Sequence, residues 1–361
     1  MNFASDNAAG AAPEILDAIV AASRGVAAAY GADEHSKAAE AKLGEVFEKP
    51  VAAFLVATGT GANALALGAI ASPWSAVFCH EESHIHDDEC GAPEFYTGGA
   101  KLVGIPGEGG KITPDALAET LARFPRGLAK SVQPGALSLS QATEAGTIYA
   151  LDEIAALTDL ARRHGLASHM DGARFANALV ALGCKPADMS WRAGIDVLSF
   201  GATKNGALAC EALIFFDRAK AEAFPFQRKR GGHTLSKGRF LGAQMNAYLR
   251  GDLWLDLAKR ANRAADRLSR SLTAIPGVRL AWPTQVNEVF VVAPRAVIAP
   301  LNAAGARIYE WTSRAVSPEA APRDGEAFIR LVCSFETSDA EVDRLVSIVR
   351  ASCGEAERSS L

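Results

Sequence analysis

Apolar positions along the chain fall into two alternating rhythms. Behind Pro13, the residues Ile15, Leu16, Ile19 and Val20 recur at helical spacing, and proline is well suited to a first helical position. Residues 36–47 form a second amphipathic stretch, and 51–56 a short apolar run of strand length. Residues 76–79 and 101–105 read as strands, and Thr113-Pro114 as an N-cap followed by a first helical position. A strand lies within 128–139, a helix covers 151–164, and strands follow at 166–170, 196–200 and 207–216. This β-α-β alternation predicts an α/β fold: a mostly parallel, seven-stranded-type sheet sandwiched by helices.

Near residue 250 the rhythm changes. Residues 253–272 predict one long charged helix. Short strands at 278–281, 288–292 and 328–333 then mix with helices at 297–304 and 339–351. The expected division is a large domain with an N-terminal arm, residues 1–250, and a smaller C-terminal α+β domain, residues 251–361. The tail, residues 354–361, is expected to fray. No internal repeat or low-complexity tract interrupts the chain.

Two domains also suit 361 residues. Alanine occupies 72 positions, which favours helix over strand in the connecting segments. The formal charge is −4, so nothing in the composition is suited to neutralising a phosphate backbone, and no nucleic-acid partner is expected. Six cysteines are scattered without a CxxC, as in a cytoplasmic protein with free thiols. The opening MNFASDNAAG lacks the basic and apolar regions of a signal peptide. Residues 51–79 carry no charge and are long enough to span a bilayer. The turn residues 58–63 and Pro73 divide them into strand, turn and helix, so no membrane association is expected.

Four segments could carry chemistry. In Phe200-Gly-Ala-Thr203-Lys204-Asn205-Gly206 a lysine ends a buried strand, where a lowered pKa would let it form a Schiff base with a carbonyl; a surface lysine in a turn is the plainer alternative. Asp171, thirty-three residues earlier, sits at the carboxyl end of a strand, where α/β folds bind ligands. It could hold the ring nitrogen of pyridoxal phosphate or simply cap the next helix. The turn Thr58-Gly59-Thr60-Gly61-Ala62-Asn63 suits an anion at a helix N-terminus but matches neither a P-loop nor a Rossmann fingerprint. Between His80 and Cys90, three imidazoles and several carboxylates could bind a divalent ion, or one imidazole could stack on a planar cofactor. No second ligand pair lies elsewhere, so no metal is expected.

Taken in order, these segments resemble the low-specificity L-threonine aldolases, which depend on pyridoxal 5'-phosphate and share the aspartate-aminotransferase fold (fold type I). The resemblance runs through Ser5-Asp6, Tyr30-Gly31-Ala32-Asp33, the Thr58–Asn63 turn, His84, Glu89-Cys90-Gly91, Asp171-Gly-Ala-Arg174, Thr203-Lys204-Asn205-Gly206 and Arg330-Leu-Val. It implies that Lys204 is the Schiff-base lysine, that Asp171 holds the pyridinium nitrogen, and that His84 stacks on the ring near the substrate hydroxyl. Gly59, Thr60 and Thr203 would bind the phosphate, and Arg239 would reach the phosphate of a neighbouring subunit. Arg174 and Arg330, with Ser5, would hold the substrate carboxylate. A homotetramer, built as a dimer of dimers, is also implied. Some members carry a second active-site histidine in a sequence like Asn-Thr-His-Asn. Here the stretch reads Gln141-Ala142-Thr143-Glu144, so Thr143 takes its place and His84, a water or both would act as base.

The expected reaction is aldol cleavage of threonine, allo-threonine and related β-hydroxy-α-amino acids such as phenylserine to glycine and an aldehyde. The alternatives are another fold-type-I reaction, such as β-elimination, transamination or hydroxymethyl transfer, and a non-catalytic ligand-binding module.

Overall fold

The computed structural model describes residues 1–359. Seven strands build the large sheet: β1 (Ala52–Val56), β2 (Ser75–His80), β3 (Lys101–Ile105), β4 (Gln133–Ser140), β5 (Ala167–Gly172), β6 (Val197–Gly201) and β7 (Glu211–Phe215). Their spatial order is β1-β7-β6-β5-β4-β2-β3. The β2–β3, β2–β4, β4–β5 and β5–β6 pairs are parallel, whereas β7 runs antiparallel to both of its neighbours. Strands β2, β6 and β7 are buried at every position, as a sheet covered on both faces requires.

Two expected strands are shorter than their apolar runs. The strand within 128–139 starts at Gln133, whose side-chain amide donates to the carbonyls of Leu128 and Ser131 and closes a turn ahead of it. The run 207–216 becomes sheet only from Glu211. The Leu208 and Ala209 amides donate to Gln244 Oε1 instead of to a strand.

A second sheet, order β10-β11-β9-β8, is antiparallel throughout. It comprises β8 (Arg279–Leu280), β9 (Glu288–Pro294), β10 (Tyr309–Glu310) and β11 (Glu326–Val332). The two-residue β10 has no apolar alternation to announce it. The final helix covers Asp339–Ser359, so it continues through most of the tail expected to fray; residues 360 and 361 lie outside the described residues.

The two most extensive hydrophobic cores correspond to the two sheets, with smaller clusters beside them. In the first, Phe47 packs against Phe175, Phe200 and Phe216 at centroid distances of 5.4–5.9 Å, tilted or edge-on. The second lies between β9, β11 and the last helix, and takes in Phe3 from the N-terminal arm. The Leu253–Thr273 helix serves both: Trp254, Leu257 and Ala258 belong to the first core, Ala264, Ala265, Leu268 and Leu272 to the second. Among the described residues no helix is long and apolar enough to cross a membrane. None of the six cysteines forms a disulfide.

Candidate active site

At the carboxyl ends of the parallel strands, a cleft of about 260 Å³ is lined by Asn7, the turn residues Thr58, Gly59, Thr60 and Asn63, His84, Glu89, Glu144, Asp171, Ala173, Thr203, Lys204 and Glu211. Strand termini in an open α/β sheet leave such a crevice because the chain departs to opposite faces. Lys204 arrives there because β6 stops at Gly201 and a single 3-10 turn, Thr203–Asn205, follows it. That turn is anchored from below: Asn205 donates to Tyr248 Oη and the Trp254 carbonyl, both at 2.8 Å.

Asp171 ends β5 and is nearly inaccessible. Its Oδ1 accepts the Ala173 amide at 3.0 Å and its Oδ2 the Asn63 amide at 2.8 Å. Asn63 Nδ2 also donates to Glu89 Oε1 at 2.9 Å, and the same oxygen takes His84 Nδ1 at 3.0 Å. The result is a continuous chain, Asp171–Asn63–Glu89–His84. Glu89 raises the His84 pKa by accepting its Nδ1–H, against the pull of burial, and the Nε2 edge is left free of this network. Glu89 itself is pushed up by burial. Below Asp171 on the same strand, His169 is fully buried between the hydroxyls of Ser138 and Ser199, and burial lowers its pKa to about 4, so it adds no charge beneath the cleft at neutral pH.

The Gly59–Ile70 helix points its N-terminus into the cleft. Thr58 Oγ1 caps the Gly61 amide at 3.0 Å, leaving the Gly59 and Thr60 amides without helical acceptors. An added Cβ at Gly61 would lie 2.2 Å from His233 Cε1 and 2.8 Å from Thr58 Oγ1, so any other residue here must displace one of those side chains.

The remaining candidates lie apart from the cleft lining. Arg174 is buried and spent on internal partners: its Nε and Nη2 bond Asp6 at 2.8 and 3.1 Å, and its Nη1 lies 3.2 Å from Glu288. Arg330 lies over the Trp311 ring at 4.3 Å and donates to the Ala4 carbonyl, with its Nε buried and unpartnered. Ser5 accepts the Asn7 amide. Thr143 is buried, its hydroxyl bonded to the Gly109 carbonyl and to Thr147, and its neighbour Glu144 faces the cleft instead. Arg239 donates to the Gly25 carbonyl and does not line the cleft of its own chain. Of the three clustered histidines only His84 lines the cleft. His80 bonds the Gly107 carbonyl and His86 pairs with Asp87, and no group of described residues is arranged to hold a metal.

The Beta-eliminating lyase family model matches residues 2–295. A curated low specificity L-threonine aldolase from Pseudomonas aeruginosa is 40% identical over 352 residues, 98% of both chains. The chain belongs to the low-specificity L-threonine aldolase family. A second such protein, from a Pseudomonas species, is 39% identical over 97% of both chains. The solved Leishmania major threonine aldolase superposes with a TM-score of 0.90 at 30% identity, covering 98% of this chain and 99% of that one. For a threonine aldolase, Asn63, Glu89, Glu144 and Glu211 are cleft residues that the sequence pattern left without a role. Asn63, Glu89 and Glu144 lie inside the motifs that carry the resemblance; Glu211 offers no signal beyond its charge.

Proposed function

We propose that this chain performs the aldol cleavage of L-threonine, L-allo-threonine and related β-hydroxy-α-amino acids to glycine and an aldehyde, with pyridoxal 5'-phosphate in the cleft. The observation that carries this reading is the convergence of Lys204, Asp171 and the His84–Glu89 pair on one cleft beside two free helix N-terminal amides. That donor set fits the cofactor: an amine for its carbonyl, a buried carboxylate for its ring nitrogen and amides for its phosphate. When bound, pyridoxal phosphate supplies an electron-withdrawing ring that stabilises negative charge at the substrate Cα.

In this reading Lys204 holds the cofactor and Asp171 keeps its ring nitrogen protonated, with Asn63 and the Ala173 amide fixing the carboxylate. Gly59, Thr60 and Thr203 bind the phosphate. His84 accepts the β-hydroxyl proton at Nε2, while Glu89 fixes its other nitrogen and stabilises the imidazolium that forms. Arg330 takes the substrate carboxylate, for which its unpartnered Nε is suited, and Arg174 supports that pocket from within its ion pairs. Ser5 is the weaker carboxylate contact in this reading, and Thr143, at the place of the second histidine, keeps its hydroxyl within the chain. Arg239 serves a neighbouring subunit in a homotetramer built as a dimer of dimers. The domain division at residues 1–250 and 251–361, and a cytoplasmic location matching cysteines outside any disulfide, complete the proposal.

The test is product analysis. The protein is given L-threonine and assayed separately for acetaldehyde, glycine, ammonia and keto acids. Equal amounts of acetaldehyde and glycine are expected, and their loss in Lys204→Ala; keto acid with ammonia would point to β-elimination instead. A protein that pyridoxal phosphate cannot turn yellow would overturn the whole reading.

A further inference from the structure

Glu211 takes no part in the chemistry described so far. It opens β7, opposite Gly201 of β6 and Val56 of β1. One of those strands leads into the Thr58–Asn63 turn and the other into Thr203 and Lys204, so the carboxyl sits where the two halves of the anion site meet. It is only 7% exposed, yet it lines the cleft beside Thr58, Gly59, Thr60, Thr203 and Lys204. The Ala202 amide donates to its Oε2 at 2.8 Å, and no ion pair reaches it among the described residues.

Burial pushes the Glu211 pKa up to about 7. The Thr203 hydroxyl, the Ala202 amide and the Lys204 charge pull it back, and Asp171 adds to the rise. Cys210 and Tyr248, the other titratable groups it faces, are themselves held neutral by burial. The carboxyl is therefore poised to change charge under mild conditions. A phosphate seated on the Gly59 and Thr60 amides brings negative charge into the same small cleft, where poor screening makes a second anion in the wall costly. Protonation removes that repulsion and turns an acceptor into a donor.

We propose that Glu211 belongs to the phosphate site and takes up a proton as the phosphate enters, so that a neutral carboxyl faces the anion. This inference rests on the reading that the cleft holds pyridoxal phosphate.

The test is titration of pyridoxal phosphate into the cofactor-free protein between pH 6 and 8.5, followed by absorbance. Glu211→Gln keeps the shape and donor of the neutral acid but cannot ionise. The wild-type Kd is expected to rise about tenfold more across this range than that of Glu211→Gln, since one linked proton contributes up to a decade per pH unit. A second measurement needs no variant: calorimetric titration at pH 8 in two buffers of different ionisation heat. About one more proton per site should be taken up with pyridoxal phosphate than with pyridoxal, which lacks the phosphate. Parallel pH profiles for the two proteins, or equal proton uptake with the two ligands, would overturn the Glu211 inference and leave the functional reading standing. If neither ligand binds at any pH, the functional reading fails, and this one with it.

Discussion

Asp6 accepts two hydrogen bonds from Arg174 across 168 residues of sequence, joining the N-terminal arm to the loop that follows β5. Burial alone would raise the Asp6 pKa, but the Arg174 guanidinium overrides it and holds the carboxyl below its ordinary value. Asn287 donates to the same carboxylate at 3.0 Å, and Glu288 flanks the arginine from β9. Arm, large sheet and small sheet thus meet at one buried cation.

Removing Asp6 leaves that cation with half its compensation. Asp6→Ala is expected to cost about 3–5 kcal/mol, the range for breaking a buried ion pair from one side, as read by urea unfolding. The sign with pH follows from the lowered pKa. The Asp6 contribution is present above the unfolded value of about 3.9 and is lost as pH falls through the lower folded value. The wild type should therefore lose part of its advantage over Asp6→Ala below about pH 4.

The pH profile of catalysis should report the His84–Glu89 bond. His84 must be neutral to accept a proton, so kcat/KM falls as pH drops through its raised pKa. Glu89→Gln removes the carboxylate that raises it. The acid limb should then move to lower pH, while the maximal rate also falls; an unmoved acid limb would assign that limb to another group.

Asn63 satisfies two buried carboxylates with one amide nitrogen. Asn63→Ala leaves both short of a donor, a change worth about 1–3 kcal/mol for each buried group. Weaker pyridoxal phosphate binding and a lower kcat are expected together, because Asp171 and His84 lose their common support. A change in only one of the two would show that the chain does not act as a unit.

Arg330→Ala should raise KM for threonine strongly, with pyridoxal phosphate absorbance intact, since the residue lies away from the cofactor groups. Thr143→Ala provides the contrast. Its hydroxyl is committed to Gly109 and Thr147, so the expected effect is a loss of about 1 kcal/mol in stability with KM unchanged.

Gly61→Ala tests the anion site by crowding. The added methyl displaces His233 or the Thr58 cap, and loss of such a cap typically costs about 1 kcal/mol. A lower melting temperature and weaker phosphate binding should appear together.

Much of this arrangement is legible in the order of residues. Asp171 and Lys204 announce themselves because one lies at the close of a strand and the other in the turn just after one, and strand ends can be read from apolar runs bounded by turn residues. The limits of β4 and β7 cannot be read that way, since side chains of Gln133 and Gln244 decide where pairing begins. Long-range partners are equally hidden. Asn63 meets Asp171 across 108 residues, and Arg174 looks like a free carboxylate grip until Asp6 and Glu288 are seen to hold it. Thr143 fits its motif by position, yet a local hydrogen-bonding need claims its hydroxyl.

The Leu253–Thr273 helix has a thermodynamic consequence. At a rise of about 1.5 Å per residue, one rigid rod of 21 residues inserts its first turns into one core and its last turns into the other. Neither core can melt without unravelling a helix the other depends on. In a scanning calorimeter the chain should give one endotherm rather than two, with matching calorimetric and van't Hoff enthalpies per cooperative unit.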